Sequence, residues 1–302
     1  MNSNILMIQG TSSGAGKSLM VTALCRILSD KGYRVAPFKS QNMSSIIFHI
    51  NGTNKIMAQA QAVQALGART VPDVRMNPIL LKPIGNYESE VYVYGEFLSK
   101  MRAQEYYSSF VLKKGFKLAL DAFKSLRKEN DLIILEGAGS PAEINIQKYD
   151  IANMLLAEKV NAPVLLVADI ERGGCFASIL GTILLLKPKY RDLIKGLIIN
   201  KFLGDKHILL PAVKRIESDT KKPVLGIVPK IDHIIPSEDS LDGKVGHTKS
   251  NNNSNNNNLQ DKNNIGCIEG SEIINKEISK VSKIIESTIN VEYILRNLLK
   301  LI

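Results

Sequence analysis

Apolar and polar positions alternate along this chain in two distinct rhythms. Residues 5–8, 34–39, 131–136, 162–169, 194–199 and 223–229 are short, dominantly apolar runs, which read as strands, most of them buried. Between them, residues 19–28, 54–66, 110–129, 150–160 and 208–218, and a stretch opening at 170–176 and ending near 186, read as helices. Residues 110–129 have the clearest amphipathic spacing. Residues 76–83 form a short strand bounded by prolines, and 90–95 alternate as an edge strand or hairpin arm does. Strand and helix in turn predict an α/β fold, a doubly wound and mostly parallel sheet with ligands at the strand C-termini.

The rhythm breaks beyond residue 242. The tract Asn251-Asn252-Asn253-Ser254-Asn255-Asn256-Asn257-Asn258 has nothing to bury, so residues 243–270 are expected to be a disordered linker or insertion. From Ser271 onward, Ile274, Ile278, Val281, Ile284, Ile285 and Ile289 recur at helical spacing. Residues 271–302 are therefore expected to form a helix that docks back on the main domain, residues 1–242. No internal repeat is visible.

The candidate chemistry sits at the strand ends. Gln9-Gly10-Thr11-Ser12-Ser13-Gly14-Ala15-Gly16-Lys17-Ser18 lies between the first strand and the first helix. That is the setting of a phosphate-binding loop, and it predicts a P-loop NTPase. Gly10, Thr11, Gly14 and Gly16 would turn backbone N–H groups toward the phosphates of ATP, and the helix N-terminus adds positive charge. Lys17 would reach the β- and γ-phosphates and Ser18 would ligate Mg²⁺. Five residues separate Gly10 from Gly16, one more than in the usual pattern, so the loop is a variant. Lys39 ends the second strand. Glu136 ends an apolar strand and is followed by small residues, where phosphate-loop proteins keep the Mg²⁺-side acid. A surface cap is the plainer reading of a lone Glu, but a strand apolar on both faces is central. Asp169 ends the next such strand.

Composition narrows the class. The chain has 302 residues, 44% hydrophobic and 23% charged, as soluble globular proteins have. No run approaches the length of a membrane span, and the N-terminus lacks the basic region of a signal peptide. Cys25, Cys175 and Cys267 form neither a metal spacing nor a disulfide framework, so a reducing cytoplasm is the expected location. The net charge of +10 is spread thinly, with short pairs such as Lys113-Lys114 and no aromatic interleaving. That makes nucleic acid a weaker partner than an anionic small molecule, and an ordinary solvated basic surface explains the charge as well.

Several stretches together resemble the N-terminal domain of cobyric acid synthase. They include the phosphate loop, Pro37-Phe38-Lys39-Ser40-Gln41-Asn42-Met43, Ala60-Gln61-Ala62-Val63-Gln64-Ala65-Leu66 and Met76-Asn77-Pro78-Ile79-Leu80-Leu81-Lys82-Pro83. Glu136-Gly137-Ala138-Gly139-Ser140, Asp169-Ile170-Glu171-Arg172-Gly173-Gly174, Asn200-Lys201-Phe202 and Glu238-Asp239-Ser240-Leu241 continue it in the same order. The resemblance implies a dethiobiotin-synthetase-like domain. It implies ATP- and Mg²⁺-dependent amidation of side-chain carboxylates of a corrinoid, adenosylcobyrinic acid a,c-diamide, through an acyl phosphate. It implies Lys17, Lys39 and Glu136 at the chemistry, Asn200 on the adenine edge beside Val228-Pro229, and Gln41, Asn42, Lys82, Asp169 and Arg172 toward the substrate. The roles of Asp169 and Arg172 do not follow from the residues themselves.

The departures are as informative. The family continues with a glutaminase domain that releases ammonia, whereas Cys267 in Ile265-Gly266-Cys267-Ile268 is not on a nucleophile elbow. The expectation is free ammonium, or a separate glutaminase subunit, as nitrogen donor. Residues 44–50, Ile56, Ala58-Gln59 and Leu203 also depart from the family pattern, all of them bearing on substrate more than on ATP. Three rivals stay open: a dethiobiotin-synthetase-like ligase, a nucleotide-switch ATPase of the partition type, and a paralogue that binds nucleotide without amidating. The partition type carries an extra Lys early in the loop, where this chain has Gly10-Thr11-Ser12. The pattern leaves a homo-oligomer open.

Overall fold

A computed structural model of the chain describes residues 4–236 and 268–301. The expected linker, Cys267 and the Glu238-Asp239-Ser240-Leu241 stretch therefore lie outside the described residues, except that backbone helix begins at Ile268.

In chain order the first half comprises strand β1 (Ile5–Gly10), helix α1 (Lys17–Asp30), and strands β2 (Val35–Phe38), β3 (Gln41–Met43), β4 (Ile47–His49) and β5 (Ile56–Ala58). Helix α2 (Gln59–Gly67), strands β6 (Ile79–Gly85), β7 (Glu88–Val93) and β8 (Glu96–Arg102), and helices α3 (Ala103–Glu105) and α4 (Phe116–Glu129) follow. The second half holds β9 (Leu132–Glu136), α5 (Met154–Val160), β10 (Val164–Asp169), α6 (Cys175–Leu185), α7 (Pro188–Arg191), β11 (Ile194–Phe202), α8 (Lys206–Thr220) and β12 (Val224–Pro229). Helices α9 (Ile268–Thr288) and α10 (Val291–Tyr293) follow, the latter continuing into a π segment, Ile294–Leu299.

Six strands make one sheet in the order β12-β11-β10-β1-β9-β2, and every neighbouring pair is parallel. The doubly wound reading holds. Side chains alternate across a strand, so β1 sends Ile5 and Met7 to one face and Leu6 and Ile8 to the other, all of them buried. The first face is covered by α4, α5, α6 and α8 through Phe123, Met154, Ile179 and Val213. The second is covered by α1 and α9, where Met20 and Leu24 share a cluster with Ile278, Val281 and Ile285. The chain leaves β1 for β2 on one side and returns through β10 on the other. The topological switch thus falls at β1, and the loop after it opens at the sheet's carboxyl edge.

A second sheet, β3-β6-β7-β8, was not anticipated. Gln41–Met43 pairs in parallel with Ile79-Leu80-Leu81. Residues 90–95 do form a hairpin arm, but β7 lies between β6 and β8 and is not an edge. Two-residue turns build both hairpins. Asn86 and Tyr87, then Tyr94 and Gly95, take positive φ, the handedness that matches strand twist. Ile79, Leu81 and Val91 cover Tyr106, Phe110 and Val111 of a wide-turn π segment, Tyr106–Gly115, which replaces the first part of the helix expected from residue 110. The helix expected over 54–66 begins only at Gln59, because residues 56–58 pair with β4. The helix expected from residue 150 begins at Met154, because Asp150 caps a turn instead.

The terminal helix closes the molecule against α1. Arg26, 1% exposed on α1, donates to Leu66 O at 3.0 Å and to Asn275 Oδ1 on α9. Asn290 N then donates to Leu225 O at 2.7 Å, which brings the chain back onto β12.

Candidate functional site

The loop after β1 turns sharply into α1 because Gly14 and Gly16 adopt φ of 70° and 101°. A side chain at Gly16 would also collide with Asn200, whose Nδ2 lies 2.1 Å from an ideal Cβ there. Glycine is therefore required at that position twice over.

The ends of β10 and β11 fasten the loop. Thr11 N donates to Val167 O of β10 at 2.9 Å. Asn200 Nδ2 donates to Ala15 O at 2.9 Å, and Lys201 Nζ donates to Gly14 O at 2.7 Å while pairing with Asp169 Oδ2 at 2.8 Å. Successive residues of a strand normally face opposite ways. Lys201 takes φ of 60°, which breaks the alternation and lets both side chains reach the loop.

Lys17 is 5% exposed, and its Nζ donates to Ser12 O at 2.9 Å and to Gly139 O at 3.0 Å. The ammonium is thereby stretched along the loop toward the end of β9. There Glu136, fully buried, gathers three donors. Ser18 Oγ donates to Oε1 at 2.8 Å, Lys39 Nζ reaches Oε1 at 3.2 Å, and Gln64 Nε2 donates to Oε2. Two lysines, a hydroxyl and a carboxylate thus converge at the ends of β1, β2 and β9.

Both lysines and the hydroxyl line a cavity of about 520 Å³, together with Gly16, Asn42 and Asn200, while Glu136 lies buried behind them. That volume suits a nucleotide-sized ligand. Pro229 at the end of β12, Ile231 and Ile235 after it, and the paired Lys230 and Glu171 also line the cavity.

Of the residues expected to face substrate, Asn42 reaches the cavity and donates Nδ2 to Gln61 Oε1 at 2.8 Å. Gln41 does not line it; its Oε1 accepts from Tyr106 OH at 2.7 Å. Lys82 pairs with Glu90 at 3.5 Å on the second sheet, and Arg172 is exposed in the turn before α6. Asp169 acts through Lys201 on the phosphate loop. Sequence reasoning gave no role to Lys201, Gln64 or Asn153. For Gln64 a signal existed: Gln61 and Gln64 are polar residues three apart on a helix that is otherwise Ala and Val on its buried side.

A family profile described as "CobQ/CobB/MinD/ParA nucleotide binding domain" matches residues 6–242. A probable cobyric acid synthase of Thermococcus kodakarensis is 52% identical over 242 residues, covering 78% of this chain and 48% of the relative. A cobyric acid synthase of Trichormus variabilis is 48% identical over 237 residues, with the same coverage of 78% and 48%. The chain spans about half the length of these curated relatives. Among solved structures, the signal recognition particle receptor FtsY from Elizabethkingia anophelis in complex with GDP aligns with a TM-score of 0.43 at 17% identity, covering 74% of this chain and 56% of that one.

Proposed function

This chain belongs to the CobQ/CobB/MinD/ParA nucleotide binding domain family, and from that premise we propose that it is the ATP-dependent ligase part of a cobyric acid synthase, converting side-chain carboxylates of a corrinoid into amides through an acyl phosphate. The observation that carries the reading is that Lys17, Ser18 and Lys39 line one cavity while the buried Glu136 holds Ser18 and Lys39 from behind. The names of relatives near half identity favour a ligase over a nucleotide switch.

The donor set suits magnesium. Ser18 Oγ and Glu136 Oε1 are hard oxygens 2.8 Å apart, and Mg²⁺ commonly takes one or two protein oxygens with phosphate and water completing its shell. Bound there, Mg²⁺ would neutralise charge on the β- and γ-phosphates.

The protein's own residues do the rest. The loop backbone and Lys17 hold the polyphosphate, and Lys17 follows the charge on the transferring phosphoryl group. Lys39, at the neighbouring strand end, draws the substrate carboxylate toward the γ-phosphorus. A carboxylate oxygen attacks that phosphorus and the bond to the β-phosphate oxygen breaks, giving acyl phosphate and ADP. Ammonia then adds its lone pair to the acyl carbon, the carbon–oxygen bond to phosphate breaks, and the proton lost from nitrogen leaves with inorganic phosphate.

Ammonia comes from solution or from a separate glutaminase subunit. Cys25 and Cys175 are buried, and burial pushes both thiols up, Cys175 to about 12, so neither is a thiolate nucleophile.

ADP formation is measured with ATP, the corrinoid a,c-diamide and ammonium, for the parent and for Lys17→Ala. The expected result is turnover that needs all three substrates and falls at least about a hundredfold in the variant. Full turnover without Lys17 would discard the phosphate-loop reading.

A further inference from the structure

We propose that Asn153, held in place by Asp150, is a positioning residue for the γ-phosphate end of this site. The inference rests on the phosphoryl-transfer reading above.

Asn153 is 2% exposed and immediately precedes α5. Its Oδ1 accepts from Ala138 N at 3.1 Å and its Nδ2 donates to Ala138 O at 2.6 Å. One carboxamide thus pairs with both backbone groups of Ala138, as a neighbouring strand would. The same Nδ2 donates to Asp150 Oδ2 at 2.8 Å, and Asp150 Oδ1 accepts from Ala152 N and Asn153 N, both at 3.1 Å. A carboxylate can only accept, so Asp150 selects which end of the carboxamide faces it. Gly137 leaves room for this contact: an ideal Cβ there would stand 2.2 Å from Asn153 Oδ1.

The clamp acts on two catalytic strands. Residues 137–139 follow Glu136 directly, and Gly139 O accepts from Lys17 Nζ at 3.0 Å. On the other side Ser40, next to Lys39, donates Oγ to Ile151 O at 2.9 Å. One buried turn, 150–153, therefore ties together the loops that carry Lys39 and Glu136 and the carbonyl that holds Lys17. The phosphate loop itself, which would cradle the α- and β-phosphates, is fastened from β11 by Asn200 and Lys201. Loosening the turn should fall on the γ-phosphate and spare the rest of the nucleotide.

Calorimetric titration of the purified chain with Mg·ADP and with Mg·β,γ-imido-ATP separates these ends. For Asn153→Ala, Asn153→Asp and Gly137→Ala the expected ADP affinity stays within about twofold of the parent, while the triphosphate analogue loses about tenfold. Asp150→Asn, which sets two amide donors face to face, is the milder variant and should show the same pattern if the others fold poorly. Parental affinity for the analogue in every folded variant, or equal losses for ADP and the analogue, would overturn the proposal, the second outcome marking a merely structural turn. Lys17→Ala in the same titration tests the underlying reading. If it keeps its preference for the triphosphate, that reading fails; if it loses the preference while the turn variants keep it, only this inference fails.

Discussion

Lys39 Nζ and Glu136 Oε1 meet at 3.2 Å with side chains 3% and 0% exposed, although 97 positions separate them in the chain. Neither charge has water to fall back on. Breaking a buried pair from one side leaves the other charge uncompensated, at a cost of about 3–5 kcal/mol, whereas removing both charges costs far less. Lys39→Met alone should therefore destabilise more than Lys39→Met combined with Glu136→Gln. Urea denaturation of the parent, both single variants and the double variant gives the coupling. Additive losses would show that the pair is not an energetic unit.

Ser18 and Glu136 share a hydrogen bond of 2.8 Å at the place assigned to Mg²⁺. Glu136→Gln keeps the shape and removes the charge, so the Mg²⁺ concentration at half-maximal turnover should rise about tenfold or more. Overlaying Mg²⁺ titrations would return Glu136 to the role of a buried cap.

Gly16→Ala meets two obstacles, a φ of 101° and the Asn200 carboxamide. The expected loss is about 1–3 kcal/mol for the backbone alone, with more from the collision. Adding Asn200→Ala should recover the collision part and leave the backbone part. A double variant no more stable than Gly16→Ala would contradict that division.

Burial raises the Asp150 carboxyl to about 6, with Glu143 adding to the rise and hydrogen bonds from Asn153 and Ala152 opposing it. Tyr107 and Tyr190 feel the same charge. A group whose folded value is raised contributes stability at low pH that is lost as pH climbs through its unfolded value to its folded one. Between about pH 4 and pH 6 this carboxyl should withdraw at most about 3 kcal/mol. Asp150→Asn has no such titration, so its stability relative to the parent should improve from about pH 4.5 to about pH 7. A difference that stays flat across that window, measured in urea, would refute the burial effect.

Arg26 is buried between α1 and α9 with Nε and Nη1 lacking hydrogen-bond partners, and burial holds its guanidinium below the usual range. Arg26→Met should be neutral or stabilising within about 1 kcal/mol, because it removes a costly charge and keeps the packing. Asn275→Leu, which strips one of the acceptors Arg26 does have, should cost about 1–3 kcal/mol. Thermal melts in the opposite order would show that Arg26 is well satisfied.

Periodicity alone determined the main architecture. The continuous apolar runs at 5–8 and 131–136, and the glycines before Lys17, are local signals, and the strands and loop formed where they point. Two strands of the second sheet, within 76–83 and 90–95, were legible, but β8 was not, because Glu96-Phe97-Leu98-Ser99-Lys100 is exposed and mixed in character, so that its partner across a tight turn decides its state. Lys17, Ser18, Lys39 and Glu136 could be picked out singly by type and by place at a strand end. That Glu136 would gather Ser18 from 118 positions away, Lys39 from 97 and Gln64 from 72 was settled only when the parallel sheet brought its carboxyl edges into line. Gln64 and Asn153 had no identity as site residues before that. A neutral carboxamide becomes a directed donor or acceptor only once burial removes water and a fixed neighbour supplies its other half.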